Sequence, residues 1–171
     1  MAKAKGIDAK RALDLTVALV LLALASPALL AVATALTLGA LGPLEPPGAV
    51  LRRELRAGLG GRPYELLTFR RGGRLLARLP RLLHVVRGEM SLVGPVPLAP
   101  DDEECRGDGA RRHSVRPGLT GLWQVSGDPD LPWQERPLLD LHYVDHHWLG
   151  MDLAILGRTI RAWRRTPARL T

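Results

Sequence analysis

Two arginines stand beside a turn-rich segment late in the chain. Arg112 and Arg116 precede a Pro-Gly pair, and a Thr-Gly pair begins at Thr120. Backbone amides in such a turn, together with guanidinium groups, can hold a diphosphate through charge-assisted hydrogen bonds. The same arginines can instead contact lipid headgroups or structural carboxylates. The segment therefore predicts either a phosphate-binding loop or a set of structural contacts.

Three histidines lie close together further on. His142 and His146 are four residues apart, with Asp145 between them and His147 following. A His-x-x-x-His pair on a helix with an acidic neighbour can bind zinc. No third ligand follows at a convincing spacing, so we expect no metal site here.

A long uncharged stretch near the amino terminus must position this chemistry. Residues 15–44 carry no charged side chain, and about 20 apolar helical residues suffice to cross a bilayer core. Ser26-Pro27 divides the stretch, and a helix kinks or ends at a proline because the proline lacks a backbone donor. We expect helical pieces over residues 15–25 and 28–41. The hydroxyls of Ser26 and Thr34 are the nearest partners for backbone groups freed at the bend.

Basic residues stand on both sides of this stretch: Lys3, Lys5, Lys10 and Arg11 before it, and Arg52, Arg53 and Arg56 after it. Basic residues tend to stay on the cytoplasmic side of a membrane. A re-entrant helical hairpin that leaves by the face it entered satisfies both ends, and this is the preferred interpretation. The alternatives are a single kinked spanning helix and a secretory signal peptide cleaved near Ala23-Leu24-Ala25.

Length and charge limit the organisation of the chain and its partners. The 171 residues suffice for a membrane element over residues 1–44 and one modest cytoplasmic domain over residues 45–171. The 24 basic and 17 acidic residues give a net charge of +7, which suits lipid headgroups, nucleotides or phosphorylated substrates. We expect no nucleic-acid partner, because the basic residues are not interleaved with stacking aromatics. Cys105 is the only cysteine in the sequence, which excludes a disulfide framework.

The cytoplasmic domain is predicted to be mainly α-helical with one small β-hairpin. Apolar stretches over residues 50–56 and 63–69 flank a glycine-rich turn, which indicates two strands. Residues 74–86 have the leucine spacing of an amphipathic helix, interrupted at Pro80, that can lie on an anionic membrane surface or pack on a core. Residues 133–163 have helical spacing again. We expect a break in that last segment near Gly150.

Several short motifs occur in a specific order between residues 8 and 165. They are Lys10-Arg11 with Asp14, Ser26-Pro27, Arg56 with Gly58, the run from Gly61 to Tyr64, Phe69-Arg70, the run from Arg87 to Pro95, the run from Arg116 to Gly121 with Gln124 and Gly127, and then Trp133, Glu135-Arg136, Asp140, Tyr143, Asp152 and Thr159. Each motif is weak alone. In this order they resemble the bacterial sugar transferase family, the small monotopic polyprenyl-phosphate phosphoglycosyl transferases.

The resemblance implies a fold, a location and a reaction. Such enzymes are monotopic membrane proteins that sit on the cytoplasmic face of the bacterial plasma membrane through a re-entrant helix. They move a sugar 1-phosphate from a nucleotide diphosphate sugar, usually a UDP-sugar, to polyprenol phosphate and release UMP. This step opens the assembly of exopolysaccharide and other cell-envelope glycans. An aspartate attacks the phosphorus, aided by a neighbouring glutamate and Mg²⁺.

The chain departs from the family at this catalytic pair. Where the family has Leu-Asp-Glu-Leu-Pro, the chain has Ala77 in place of the aspartate and Arg78 in place of the glutamate. Alanine can neither attack phosphorus nor bind a metal, and arginine brings positive charge to the place of Mg²⁺. Removing an attacking group typically costs several orders of magnitude in rate. Whether the chain is an enzyme is therefore left open.

The candidate site combines acidic substitutes with residues carried over from the resemblance. Glu89, Asp101 and Asp102 lie near the altered pair in sequence and are the candidate catalytic carboxylates. Phosphoryl transfer needs mainly positioning and a metal held by one or two carboxylates, so we expect Mg²⁺ if the chain is active. The remaining site residues are Arg70, Arg112, Arg116, Thr120 and Gln124 for substrate phosphates, and Ser26 and Pro27 in the membrane.

Two functions follow from this sequence. The first is a membrane-associated sugar transferase that uses a nucleotide sugar and polyprenol phosphate in exopolysaccharide or cell-envelope glycan biosynthesis. The alternative is a catalytically degenerate homologue that binds polyprenol phosphate or the nucleotide sugar, or that pairs with an active transferase. Membrane lipid is a partner in both, and a homo-oligomer is left open.

Overall fold

The computed structural model of the chain describes residues 2–37, 51–69, 77–126 and 136–165. Its elements in chain order are helix α1 (Ala2–Thr37), strands β1 (Leu51–Ala57) and β2 (Pro63–Phe69), helix α2 (Arg81–Arg87), strands β3 (Ser91–Val93) and β4 (Gly118–Thr120), and helices α3 (Leu122–Val125), α4 (Arg136–His146) and α5 (Leu149–Arg165). The predicted fold, mainly helical with one small antiparallel hairpin, is confirmed.

Helix α1 is a single 36-residue helix that continues through Pro27. The prediction of separate helical pieces over residues 15–25 and 28–41 is therefore wrong within the described residues. Proline removes the donor for the carbonyl four residues earlier, which belongs to Ala23. The Ser26 hydroxyl donates to that carbonyl at 2.7 Å, as expected, so the helix carries a proline without leaving this carbonyl unpaired. The side chain of Thr34 lies outside the described residues.

The length and composition of the helices also bear on a membrane crossing. Among the residues that the structure describes, no helix is both long and apolar enough to pass through a bilayer.

Polar residues in the first third of α1 attach this helix to the rest of the structure. The Asp14 carboxylate is buried, and it accepts hydrogen bonds from the Ser91 hydroxyl at 2.7 Å and from the Leu92 amide at 3.0 Å. The Arg11 guanidinium donates to the carbonyls of residues 85 and 86 at 2.7 and 3.0 Å. These carbonyls lie at the end of α2, where a helix has no internal partners for them. Arg11 therefore caps α2 while Asp14 holds β3.

Lys10 adds a buried network to this attachment. Its ammonium group donates to the Asp152 carboxylate at 2.6 Å, to the Tyr143 hydroxyl at 2.9 Å and to the Val93 carbonyl at 3.1 Å. An ammonium group has three donors, and all three are used here. The Tyr143 hydroxyl in turn donates to Asp152 at 2.6 Å. One lysine thus joins α1 to α4, α5 and β3.

The predicted hairpin is present, with strands one residue away from the expected bounds at most. Strands β1 and β2 pair antiparallel, from Leu51 opposite Phe69 to Ala57 opposite Pro63. The turn is a short 3-10 helix in which Gly60 and Gly61 have φ of 66° and 72°, a region that favours glycine. Alternate residues on β2 face the core, so that Tyr64 and Leu66 are buried.

Strands β3 and β4 form a second, parallel pair that the sequence did not predict as strands. The backbones approach closely where β3 ends, because Gly94 donates to the Thr120 carbonyl at 3.0 Å and Gly118 donates to the Pro95 carbonyl at 2.9 Å. A Cβ atom at position 118 would stand 2.1 Å from the Gly94 nitrogen. Glycine is therefore required at this contact.

The remaining helices follow the predicted segments with shifted ends. Helix α2 begins directly after Pro80 and ends at Arg87, before Gly88, whose φ of 86° is left-handed. The predicted interruption at Pro80 is therefore where the regular helix starts. The expected break near Gly150 lies earlier, between His146 and Leu149, and Gly150 itself is in α5. The core forms where these elements meet α1, around Val85, Met90, Leu92, Tyr143 and Ile155.

Candidate functional site

An open cleft of about 530 Å³ lies where the hairpin meets the start of α2. Its lining residues come from three elements: Arg52 and Glu54 from β1, Thr68 and Phe69 from β2, and Ala77, Arg78 and Arg81 from the helical turn before α2 and its first residue. Residues two apart on a strand share a face, and residues three or four apart on a helix do so as well. The hairpin register and the turn at Pro80 thus bring these groups together.

Among the described lining residues of the cleft, three are arginines and one is acidic. Glu54 bonds to Arg52, with 2.5 Å between the two charged groups, and also to Arg56. The hydrogen bond from Arg56 lowers the pKa of Glu54, with burial opposing the shift. Burial lowers the pKa of Arg81, and the neighbouring charge of Arg78 lowers it further. The single glutamate is therefore committed to two arginines, and two more arginines remain in the lining.

Arg81 has an unused hydrogen-bond donor. Its Nε atom is buried and has no hydrogen-bond partner among the described residues. A buried polar group without a partner costs free energy, and the cost is larger for a charged group. The lining offers no nucleophile at residue 77, where the side chain is a methyl group.

Glu89, a candidate catalytic carboxylate, contacts His84 and does not line the cleft. The His84 side chain is 1% exposed, and its Nδ1 lies 2.5 Å from the Glu89 carboxylate. The Leu67 amide donates to Nε2 of the same ring at 3.0 Å. Because Nε2 accepts, Nδ1 carries the proton of the neutral ring and donates it to Glu89. Glu89 therefore orients a histidine that joins β2 to α2.

Asp101 and Asp102, the other candidate carboxylates, lie in the loop after β3. Asp101 is exposed. The Asp102 carboxylate accepts from the Glu104 amide at 3.0 Å and caps the 3-10 helix Glu103–Cys105. Neither lines the cleft.

Arg112 is buried in the structure. From the sequence, this arginine was expected either to bind phosphate or to make structural contacts. It is 5% exposed, and it bonds to Asp140 at 2.6 Å and to Glu104 at 3.0 Å. Asp140 also accepts from the Val96 amide at 2.8 Å. Burial raises the pKa of Asp140 to about 6, against the opposing effects of the Val96 amide and Arg112. The contacts of Arg112 are those of the structural alternative.

The other residues expected to bind phosphate are dispersed. Arg116 donates to the Gly88 carbonyl at 2.8 Å, and Thr120 is buried against the Thr159 hydroxyl at 2.8 Å. Gln124 lies on the short helix α3, and Arg70 lies outside the described residues. The structure thus does not bring Arg112, Arg116 or Thr120 to the cleft.

The histidine cluster and the membrane residues are also placed. The rings of His142 and His146 stack with 4.5 Å between centroids, and within the described parts of the chain no set of three or more metal-binding side chains converges. Ser26 and Pro27 are exposed on α1.

Comparison with known families supplies the assignment. Residues 74–166 match the family model described as bacterial sugar transferase. The chain belongs to the bacterial sugar transferase family. The resemblance read from the sequence motifs is thereby confirmed.

Three relatives illustrate the similarity of this sugar transferase family member. It is 34% identical to the uncharacterized sugar transferase EpsL of Bacillus subtilis, over 89% of this chain and 85% of that protein. It is 36% identical to the UDP-glucose:undecaprenyl-phosphate glucose-1-phosphate transferase of Caulobacter vibrioides, over 88% and 68%. It is 47% identical to the exopolysaccharide production protein ExoY of Sinorhizobium fredii, over 51% of this chain and 39% of that protein.

The matched family segment includes three of the cleft residues, Ala77, Arg78 and Arg81. The other four come from the hairpin, and only Phe69 among them stood in a family motif, so that the sequence did not point to Arg52, Glu54 or Thr68 as site residues. The signal that would have found them is the register of the predicted hairpin, in which Arg52 pairs with Thr68. That register places them beside Phe69, which already belonged to a family motif.

The described residues do not fit the Mg²⁺ ion that the family resemblance implies. Mg²⁺ prefers one or two carboxylates and oxygen ligands at octahedral positions. Of the described lining residues, Glu54 alone is acidic, and two arginines bond to it. Arg78 adds a positive charge to the same lining. In this sugar transferase family member the cleft is suited to an anion.

Proposed function

We propose that this chain works at the step in which a sugar 1-phosphate passes from a nucleotide diphosphate sugar to polyprenol phosphate, in exopolysaccharide or cell-envelope glycan biosynthesis. Family membership supports the proposal. So do the relatives' names, one of which contains UDP-glucose, undecaprenyl phosphate and glucose 1-phosphate, while another contains exopolysaccharide production. The donor is proposed to be a UDP-sugar.

The part of this step that we assign to the chain is phosphate binding. The observation that carries it is the cleft in which Ala77 stands among arginines of β1 and α2. Covalent phosphoryl transfer needs an attacking group, and guanidinium groups supply only binding and charge neutralisation. The chain therefore holds a phosphorylated substrate without forming a phosphosugar intermediate at residue 77. It then acts beside an active transferase.

We further propose that α1 attaches the protein to the cytoplasmic face of the bacterial plasma membrane, with the basic residues before and after the apolar stretch both on that face. Apolar side chains beyond the anchored third of α1 are exposed, with Leu24 at 73% and Leu30 at 69%. Exposed apolar surface of this kind marks a contact with lipid or protein, and lipid is consistent with the basic flanks. Labelling of Lys3→Cys and Arg53→Cys from the same side of sealed membranes supports this. Labelling from opposite sides would refute it.

The function is tested with purified chain, a UDP-sugar, a short polyprenol phosphate and Mg²⁺, with UMP release as the readout. We expect release at background and binding of the donor. The double variant Ala77→Asp/Arg78→Glu restores the attacking pair, and we expect about 10²-fold or more release above the unchanged chain. Release by the unchanged chain that is lost in Glu89→Gln would show instead that a moved carboxylate catalyses. Absence of donor and acceptor binding would refute the proposal.

A further inference from the structure

Helix α5 exposes a line of large apolar side chains. The side of this helix that packs on the rest of the structure includes Asp152, which pairs with Lys10 of α1 at 2.6 Å. Outside that side, Leu149, Leu153 and Ile160 are 39%, 51% and 58% exposed. At about 100° per residue, these three positions fall within about 40° of one another around the helix axis. They therefore form one apolar stripe that is open to the surroundings.

The charged side chains next to this stripe are of one sign. Arg158 and Arg161 are exposed, and neither has an ion-pair partner among the described residues. Asp152 is the one acidic residue in the sequence of α5, and it is 1% exposed. At about 100° per residue, the two arginines lie on the part of the exposed arc away from the stripe, with Ala154 between them. The exposed arc of α5 thus has an apolar half and a basic half.

An exposed tryptophan stands at the start of the same helix. Trp148 is 67% exposed and directly precedes the first residue of α5. A Cβ atom at position 150 would stand 2.0 Å from the Trp148 ring, so the glycine there lets the ring lie against the first turn. Tryptophan is enriched at membrane–water interfaces, because its ring is apolar and its N–H group can still find a polar partner.

The chemistry of this surface indicates which partner covers it. A helix that lies on an anionic membrane places leucine and tryptophan in the apolar boundary, and its arginines reach the lipid phosphates. A surface that faces only water normally mixes charges of both signs. A second copy of the chain is a poor partner, because a symmetric contact would bring the same arginines together. Charge complementarity therefore favours anionic lipid.

The contact between α1 and α5 brings this surface near the proposed membrane attachment. Lys10 of α1 bonds to Asp152 of α5, and the exposed leucines of α1 begin with Leu19. The helical rise from Lys10 to Leu19 is about 14 Å at about 1.5 Å per residue. A bilayer that takes up the leucines of α1 is therefore within reach of α5.

We propose that α5 is a second membrane contact, which lies in the headgroup region of an anionic leaflet with its leucine stripe towards the acyl chains and with Arg158 and Arg161 on lipid phosphates. The inference rests on the proposed attachment through α1 only for the presence of the bilayer. Two separate contacts fix the orientation of the protein on the membrane, whereas one helix leaves rotation about its own axis open.

The first measurement is the depth of nitroxide labels on the full chain in vesicles of phosphatidylcholine with about 30% phosphatidylglycerol. Cys105 is buried, and Cys105→Ser gives the background for single labels at Leu153→Cys, Ile160→Cys and Ala154→Cys. All three labelled positions are exposed, so the label should not disturb the core. We expect oxygen to relax the labels at 153 and 160 more than a water-soluble nickel chelate does, and we expect the reverse at 154.

The second measurement is the distribution of the full chain between vesicles of phosphatidylcholine alone and vesicles with about 30% phosphatidylglycerol. The double variant Arg158→Gln/Arg161→Gln should reduce the preference for the anionic vesicles about tenfold or more. Arg158→Lys/Arg161→Lys keeps the charge and should keep the preference. The matched control is Arg62→Gln/Arg106→Gln, which removes the same charge from exposed positions outside α5, and we expect no loss of this size.

The results separate this inference from the proposed function. Equal responses of the labels at 153 and 154, or an equal loss of preference in the control, overturn the inference while a chain that stays on the vesicles leaves the proposed function standing. Weak relaxation of the label at 153 by both reagents shows a protein contact, and spin–spin broadening shows a second copy; either result also overturns the inference. Labels in lipid at 153 and 160, without binding of a UDP-sugar or of polyprenol phosphate, uphold the inference and refute the proposed function.

Discussion

Lys10→Met removes one charge from the buried network that attaches α1 to the rest of the structure. The partner carboxylate of Asp152 is 2% exposed and the Lys10 side chain is 20% exposed. Methionine keeps most of the aliphatic stem but donates no hydrogen bond, so Asp152 keeps only the Tyr143 hydroxyl at 2.6 Å as a donor from this group. Removing one member of a buried pair costs about 3–5 kcal/mol, and the partial exposure of Lys10 places the expected loss at the low end, at about 3 kcal/mol.

The measurement is urea unfolding of the detergent-solubilised protein, followed by circular dichroism and by the fluorescence of the tryptophans. The double variant Lys10→Met/Asp152→Asn removes the unpaired charge. We expect it to be more stable than the sum of the single variants predicts, by about 2 kcal/mol. The exposed pair Arg53–Glu65, at 3.2 Å, is the control, and Arg53→Met should cost less than about 1 kcal/mol. A loss below about 1 kcal/mol in Lys10→Met, or strict additivity in the double variant, would contradict the reasoning.

Three further outcomes are expected. Burial raises the pKa of Asp140 to about 6 from 3.8, so the folded state binds this proton more tightly than the unfolded chain. The protonated carboxyl therefore contributes about 3 kcal/mol to the free energy of unfolding below about pH 4, and this contribution is lost as the pH rises through about 6. The variant Asp140→Asn should not show this loss. Parallel pH dependences of the free energy of unfolding for the unchanged protein and for Asp140→Asn would contradict this. Gly118→Ala places a Cβ 2.1 Å from the Gly94 nitrogen, and we expect a loss of more than about 3 kcal/mol in the free energy of unfolding. Gly60→Ala, which meets nothing within 4 Å but has positive φ, should cost only about 1 kcal/mol. His84→Phe removes the acceptor for the Leu67 amide at 3.0 Å, and hydrogen exchange at that amide should accelerate.

The hairpin and α2 could be predicted because their signals are local. Glycines that permit positive φ lie between two apolar stretches, and Pro80 marks the point where a regular helix begins. The pair of β3 and β4 gave no such signal, because each strand has three residues and two or three residues do not establish a period. Their close contact depends on Gly94 and Gly118, whose positions become meaningful only when the two segments are brought together.

The burial and contacts of the candidate site residues could not be predicted, because charge type does not reveal burial. Arg112 has the sequence context of a phosphate ligand, yet Asp140, 28 residues away, lies beside it in the fold and accepts its hydrogen bond. Glu89 is near the altered pair in sequence but bonds to the buried ring of His84. Ala77 stands at the position that the family resemblance gives to the attacking aspartate, and the structure places this residue in the lining of the cleft.

The contacts of α1 fix the rotation of this helix about its own axis as well as its position. Arg11 binds the carbonyls at the end of α2, and Arg81 lies at the other end of that helix, about 7 Å away at 1.5 Å per residue. The exposed leucines of α1 begin two turns beyond Arg11, with Leu19. One residue inserted between Asp14 and Leu19 would turn those leucines by about 100° around the helix axis and move them by about 1.5 Å. The number of residues between Arg11 and the exposed leucines thus determines how the cleft is oriented relative to the surface that these leucines contact.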